Sequence, residues 1–420
     1  MNFRLIMFGL WATLIALHAP AAFRQVGQWH MFPANFNYYY WNNKGSMMFV
    51  KGYMSNITIS AWMSPDNQWV QTVPETQNTS TALVYVTDNF KTVFIQTKMG
   101  TVNNLLTYAA DTTLTFLKSG GLSPEAGEVG PPNISLLGNR LFVAQRMTLA
   151  GQVLAGVVTD KLKWKTRAFV DTWGGGGAYA TPVYCSPHGK YLAVERAYDT
   201  VQFHGTFDVY KTGKTLKKKG EATFANTISW LPSANDKFVQ FCCEQGPPSI
   251  WEAARVGSLA TFCSMPTSSY ALWRVATTGK GSVALYSSAK TLTVRSATQL
   301  FGPFALTDAL PGETPYLMYF DGKTVVFAFM GMTSTKLRAY RVSAHGMTLS
   351  AGPVTSGSPM YSHTTKGFFA FSDMTGTFKV FTPKLKLVGQ AIGGPPFCKD
   401  RAVLLPDFSV SPYEFTIYRW

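Results

Sequence analysis

Charge is scarce in this chain, and acidic charge is the scarcest kind. Charged residues make up 14% of the sequence, against about 25% in an average soluble domain. Only 22 residues are acidic, and they are scattered along the 420 positions. No Gly-x-Ser-x-Gly segment occurs, so the sequence signals neither a serine hydrolase nor a paired-carboxylate glycosidase. The six histidines (His18, His30, His188, His204, His345 and His363) lie far apart. Metal ligation from sequence-local ligands needs short, fixed spacing, so no metal and no cofactor is expected. Gly213-Lys214-Thr215 ends like a phosphate-binding loop, but the first glycine that loop requires is replaced by Asp208. Beyond the first 21 residues no run of 18 apolar residues is present, so no transmembrane segment is expected after that point.

The first 21 residues read as a secretory signal peptide. Met1 to Arg4 is followed by an apolar run from Leu5 to Leu17 and by the small-residue site Ala19-Pro20-Ala21. About 13 apolar residues are fewer than the roughly 20 that span a bilayer, which favours cleavage over anchoring. The mature chain, 22–420, is then expected to be secreted or extracellular. Asn56, Asn78 and Asn133 each begin an Asn-x-Ser/Thr tripeptide, the acceptor for glycosylation on that route. Five cysteines permit up to two disulfides with one thiol left over, and free buried thiols are the alternative.

Within 22–420 a turn followed by a strand recurs. Its clearest copy is Ser186-Pro187-His188-Gly189-Lys190-Tyr191-Leu192-Ala193-Val194; others begin at Asp321-Gly322-Lys323, Thr365-Lys366-Gly367, Asn235-Asp236-Lys237, Gly138-Asn139-Arg140 and Asp88-Asn89. Weaker copies sit at Lys44-Gly45, Thr278-Gly279-Lys280 and Lys399-Asp400. A polar Asp, Asn or Gly pair supplies the positive-φ positions of a tight hairpin, and the β-branched and aromatic residues after it fill a strand. Copies recur every 40 to 50 residues or so, the period of a four-stranded propeller blade. The Ser-Pro-His-Gly-Lys copy resembles the repeat of WD40-like and TolB-like β-propellers. That resemblance implies one all-β domain over 22–420, a β-propeller of seven to nine four-stranded blades, with eight expected. The Gly-His and Trp-Asp dipeptides of true WD40 repeats are missing. Because the last interval is short, Val26 to Phe32 is expected to pair with the final unit, closing the ring with N- and C-terminal strands. One or two β-sandwiches are the competing architecture. Ser249 to Arg255 is the one segment where a short helix competes with a strand.

What charge there is leans to one sign: 37 basic against 22 acidic residues, a net +15. It is densest in two clusters, Lys161, Lys163, Lys165 and Arg167 around Trp164, and Lys211, Lys214, Lys217, Lys218 and Lys219. Both fall late in neighbouring units, where outer strands and their turns lie. Such a field suits an acidic glycan or an anionic protein surface, and no specific nucleic-acid partner is expected of a secreted chain. Lysines on an outer strand also prevent edge-to-edge pairing, which needs no ligand. The leading expectation is a non-catalytic binding or structural module, outside the cell or on a virion, for a protein or glycan partner. A propeller hydrolase or lyase with its site in the central channel is the alternative.

Overall fold

A computed structural model of the chain describes residues 23–31, 36–41, 47–54, 56–63, 68–75, 82–87, 89, 91–99, 102–109, 115–121, 133–137, 140–147, 152–171, 183–186, 190–199, 204–212, 216–225, 227–230, 238–242, 250–255, 261–266, 270–276, 282–287, 290–296, 299–332, 334–399, 401–411 and 413–420. The signal-peptide residues 1–21 and Asn78 lie outside these. The described elements are all strands, arranged as nine four-stranded antiparallel sheets. Eight sheets use four consecutive strands each, spanning 36–75, 82–121, 133–171, 183–225, 227–266, 270–305, 314–356 and 359–392. We number these sheets one to eight. Sheet nine has three strands of its own, Phe397–Lys399, Ala402–Asp407 and Tyr413–Arg419, and its fourth is Arg24–Met31 from the other end of the chain.

The turns form as their residues dictate. Between the first two strands of sheet seven, Asp321 Oδ1 accepts hydrogen bonds from the backbone N–H groups of Lys323 and Thr324 at 2.8 and 2.6 Å. Gly322 there has φ +100°, which a side chain would resist.

Burial explains why the sheets stack. The strand Thr324–Met330 is buried at five successive positions instead of alternating. Val325, Phe327 and Phe329 join a cluster with Tyr286, Leu292 and Val294 of sheet six. Val326 and Ala328, pointing the other way, join Phe369, Phe371 and Phe381 of sheet eight. Each fully buried Val or Phe side chain stabilises the fold by about 1.5–3 kcal/mol, so a sheet with two apolar faces needs a neighbour on both sides. Sheets eight and nine share a further core around Phe378, Val403 and Trp420, and sheets two and three one around Phe94 and Leu141. First strands meet across sheets one and two, three and four, six and seven, and seven and eight.

Arg24–Met31 pairs antiparallel with Tyr413–Arg419, running from Arg24 opposite Arg419 to Met31 opposite Tyr413. The ladder shifts register between Gln25 and Gly27, so the glycine that weakens this segment as a strand sits at a bulge. Phe23 stacks on Tyr418 at 5.0 Å and also covers Gly389 of sheet eight, where any Cβ would overlap its ring.

Nine four-stranded sheets are described, inside the expected range of seven to nine units and one more than the eight favoured. Of the two alternatives for Ser249 to Arg255, the strand is the one observed, with Ile250–Arg255 paired on both sides. Among the described cysteines whose bonding is defined, Cys398 is a free thiol, and burial pushes its pKa up to about 12.

Candidate functional site

In a sheet of four strands taken in chain order, the first and third turns lie at one end and the second turn at the other. Both lysine clusters sit at third turns. Lys161 and Lys163 are exposed on the turn of sheet three that leads into its fourth strand, Trp164–Asp171. Trp164, Lys165 and Arg167 lie on that strand. In sheet four, Lys211 ends the third strand, and Lys217, Lys218 and Lys219 begin the fourth; all four are exposed. Lys214 lies outside the described residues. Asn56 begins the third strand of sheet one and Asn133 the first strand of sheet three.

The fourth strands share a device. In sheet three the register shifts between Val157 and Val158, leaving Lys165 as the extra residue. In sheet four it shifts between Val209 and Tyr210, leaving Lys219 as the extra residue. A bulge near the start of an outer strand bends it and disrupts edge pairing, and in sheet four the bulged Lys219 is exposed.

The lysines are not equivalent. Lys218 Nζ lies 2.8 Å from Asp208 Oδ1 and 3.1 Å from Glu221 Oε2. Its hydrogen bond to the buried Asp208 is the main reason its pKa is raised. Lys218 therefore balances a buried carboxylate, whereas Lys217 and Lys219 have no ion-pair partner among the described residues.

A third basic turn escaped the sequence reading. Thr382-Pro383-Lys384-Leu385-Lys386, the third turn of sheet eight, repeats the geometry of Thr159-Asp160-Lys161-Leu162-Lys163. In each, the Leu N–H donates to the Thr carbonyl at 2.9 Å, and the Thr N–H donates to the last Lys carbonyl at 3.0 Å. In each, the last Lys N–H also donates to the Thr hydroxyl oxygen, at 3.4 and 3.3 Å. Leu162 and Leu385 both take positive φ, 52° and 60°, a strain of about 1–3 kcal/mol. Leu385, buried in the core against sheet seven, and Leu162, partly buried against the core shared with sheet two, offset it by removing apolar surface from water. The apolar Leu points in and the flanking lysines point out. The repeated pentapeptide Thr-x-Lys-Leu-Lys was the visible signal.

At this end of sheets six, seven and eight lies a groove of about 1210 Å³, whose lining includes Lys323, Arg341, Lys384 and Lys386. No group of three or more His, Cys, Asp or Glu residues that would hold a metal occurs among the described residues. No helix there is long and apolar enough to cross a membrane.

No protein-family model matches the chain, and no curated protein matches it in sequence. Among solved structures it is similar to the WD40 domain of SCAP from fission yeast, at 8% identity over 94% of this chain and 97% of that one, with a TM-score of 0.48. A eukaryotic initiation factor gives 11% identity, 87% and 90% coverage and a TM-score of 0.49. BamB from Moraxella catarrhalis gives 10%, 95% and 100%, with 0.38. The resemblance to WD40-like propellers is one of fold.

Proposed function

We propose that this chain is a secreted, non-catalytic β-propeller of nine blades, a binding module that engages acidic glycans or anionic protein surfaces through basic turns at one end of its sheets. The supporting observation is the exposure of lysines where third turns meet outer strands: Lys161 and Lys163 on the turn of sheet three, Lys217 and Lys219 at the start of the fourth strand of sheet four, each pair beside a bulge. Edge protection alone calls for lysines along the outer strand, which covers Lys217 and Lys219; it does not call for Lys161 and Lys163, which stand on a turn that the partly buried Leu162 anchors. Exposed cations in a chain of net charge +15 attract polyanions in a strongly salt-dependent way.

The test is elution from a sulfated column. Lys161→Ser/Lys163→Ser and Lys217→Ser/Lys219→Ser should each lower the salt needed for elution. Lys218 is left in place, since removing it would strand buried Asp208. Unchanged elution of both variants returns these lysines to edge protection. Ring closure by the N-terminal strand has its own test. Deleting residues 23–31 should lower the melting temperature sharply and expose the last sheet to protease, and a truncated chain that melts like the intact one contradicts closure.

A further inference from the structure

The groove at sheets six to eight is separate from the lysine clusters of sheets three and four, and its chemistry is more specific. Four cations line it: Lys323 from the first turn of sheet seven, Arg341 from the third strand of that sheet, and Lys384 and Lys386 from the third turn of sheet eight. All four are exposed, and none has an ion-pair partner among the described residues. The one carboxylate in the lining, Asp321, has Oδ1 held by the backbone of its own turn. The local field is therefore strongly positive, and the groove walls keep the charges together.

Apart from Asp321 the rest of the lining is uncharged and mixed, apolar at Val294, Ala351 and Pro383 and largely polar elsewhere. Ser282, Gln299 and Thr382 contribute hydroxyl and carboxamide groups, and Phe301 supplies one aromatic surface. Thr382 Oγ1 accepts from the Lys386 N–H at 3.3 Å, so its own hydrogen is available to donate. A volume of about 1210 Å³ exceeds the roughly 300–1,000 Å³ typical of a small-molecule pocket. Four cations carried on two sheets suit a ligand with several anionic groups, as an oligomer offers. Single-stranded nucleic acid calls for a series of aromatic platforms, and one phenylalanine does not provide it.

We infer that this groove binds a sulfated oligosaccharide, with Arg341, Lys323, Lys384 and Lys386 holding its sulfates and the hydroxyl and carboxamide groups meeting its sugar hydroxyls. Arg341 offers a sulfate a planar fork of donors, and the lysines act as adjustable point charges. The inference rests on the polyanion-binding reading above only for the class of ligand, since it assigns that ligand to different residues.

The test is calorimetric titration of the full mature chain with a heparin-derived octasaccharide. It compares the wild type, Arg341→Ser/Lys384→Ser/Lys386→Ser, and Lys217→Ser/Lys219→Ser, with melting curves to establish that all three are folded. The groove variant should bind at least about tenfold more weakly and lose more affinity than the sheet-four variant. A desulfated octasaccharide should lose binding to the wild type. If the groove variant binds as wild type while the sheet-four variant weakens, the groove assignment is overturned and the polyanion reading stands. If the wild type binds no octasaccharide and is not retained on the sulfated column, both fall. Binding of single-stranded DNA of equal charge more tightly than the octasaccharide overturns the saccharide assignment.

Discussion

At one end of sheets seven to nine, Lys323, Lys366, Lys384, Lys386 and Arg401 stand on exposed turns. At the other end, charge is drawn inward and paired. Glu313, on the connection between sheets six and seven, is 8% exposed and accepts from Arg338 Nη1 at 3.1 Å and from the Leu310 N–H at 3.0 Å. Arg338 lies over the Phe329 ring at 4.2 Å. In sheet eight, Asp373 is buried and takes Lys379 Nζ at 2.7 Å, together with the N–H groups of Thr375 and Thr377. The exposed residues on the second turns at this end include Met332, Met374 and Phe408. Basic residues are used at both ends, but at one they are counter-charges to buried carboxylates and at the other they face water. Similar residue types thus serve architecture where they are paired and remain available for a ligand where they are not.

The largest expected break in this comparison comes from the paired end. Glu313→Ala leaves Arg338 buried without its main counter-charge, a loss of about 3–5 kcal/mol. Lys384→Ser/Lys386→Ser removes two exposed charges and should change stability by no more than about 0.5 kcal/mol per site. Urea unfolding of both variants measures the contrast. Equal destabilisation would mean that the two ends do not divide the work as described.

A smaller effect separates the ends by pH. Burial would raise the pKa of Asp373, but the Lys379 ammonium and the Thr375 and Thr377 donors outweigh it and hold the carboxyl below its ordinary value. Burial likewise opposes ionisation of Glu313, and the Leu310 N–H and Arg338 reverse it. A depressed native pKa adds stability that is fully present above the unfolded carboxylate range, about 4, and is lost as pH falls through the native value. Stability should therefore hold from neutrality to about pH 5 and decline below about pH 4. Asp373→Asn should be less stable at neutral pH and show a shallower acid decline, seen as the urea midpoint against pH. A parallel decline in the variant would remove Asp373 from the account.

The architecture was legible because each first turn carries its own chemistry. Asp321-Gly322-Lys323 and Thr365-Lys366-Gly367 announce hairpins at the blade period, and the strands after them are the buried second strands of their sheets. The number of sheets was harder to read. Lys44-Gly45 and Lys399-Asp400 are poor turn signals, and the last sheet borrows Arg24–Met31 from nearly 370 positions away. The lysine clusters were legible as composition, but their roles were not. Lys218 meets Asp208 only because the bulge at Val209 and Tyr210 sets the register, and register is invisible in a list of charges. The groove joins residues from three sheets, none remarkable in its own segment. Only the repeated Thr-x-Lys-Leu-Lys gave sheet eight's turn away.

The central claim is that one end of the sheets is the ligand-facing end. Hydrogen exchange of the full mature chain, with and without saturating heparin octasaccharide, tests it most directly, because each second turn and each third turn falls in a different peptide. The account predicts slowed exchange at 159–163, 321–324 and 382–386, with 331–334, 374–376 and 408–411 unchanged. Protection confined to the second turns, or absent at both ends under conditions where the octasaccharide is bound, would contradict it.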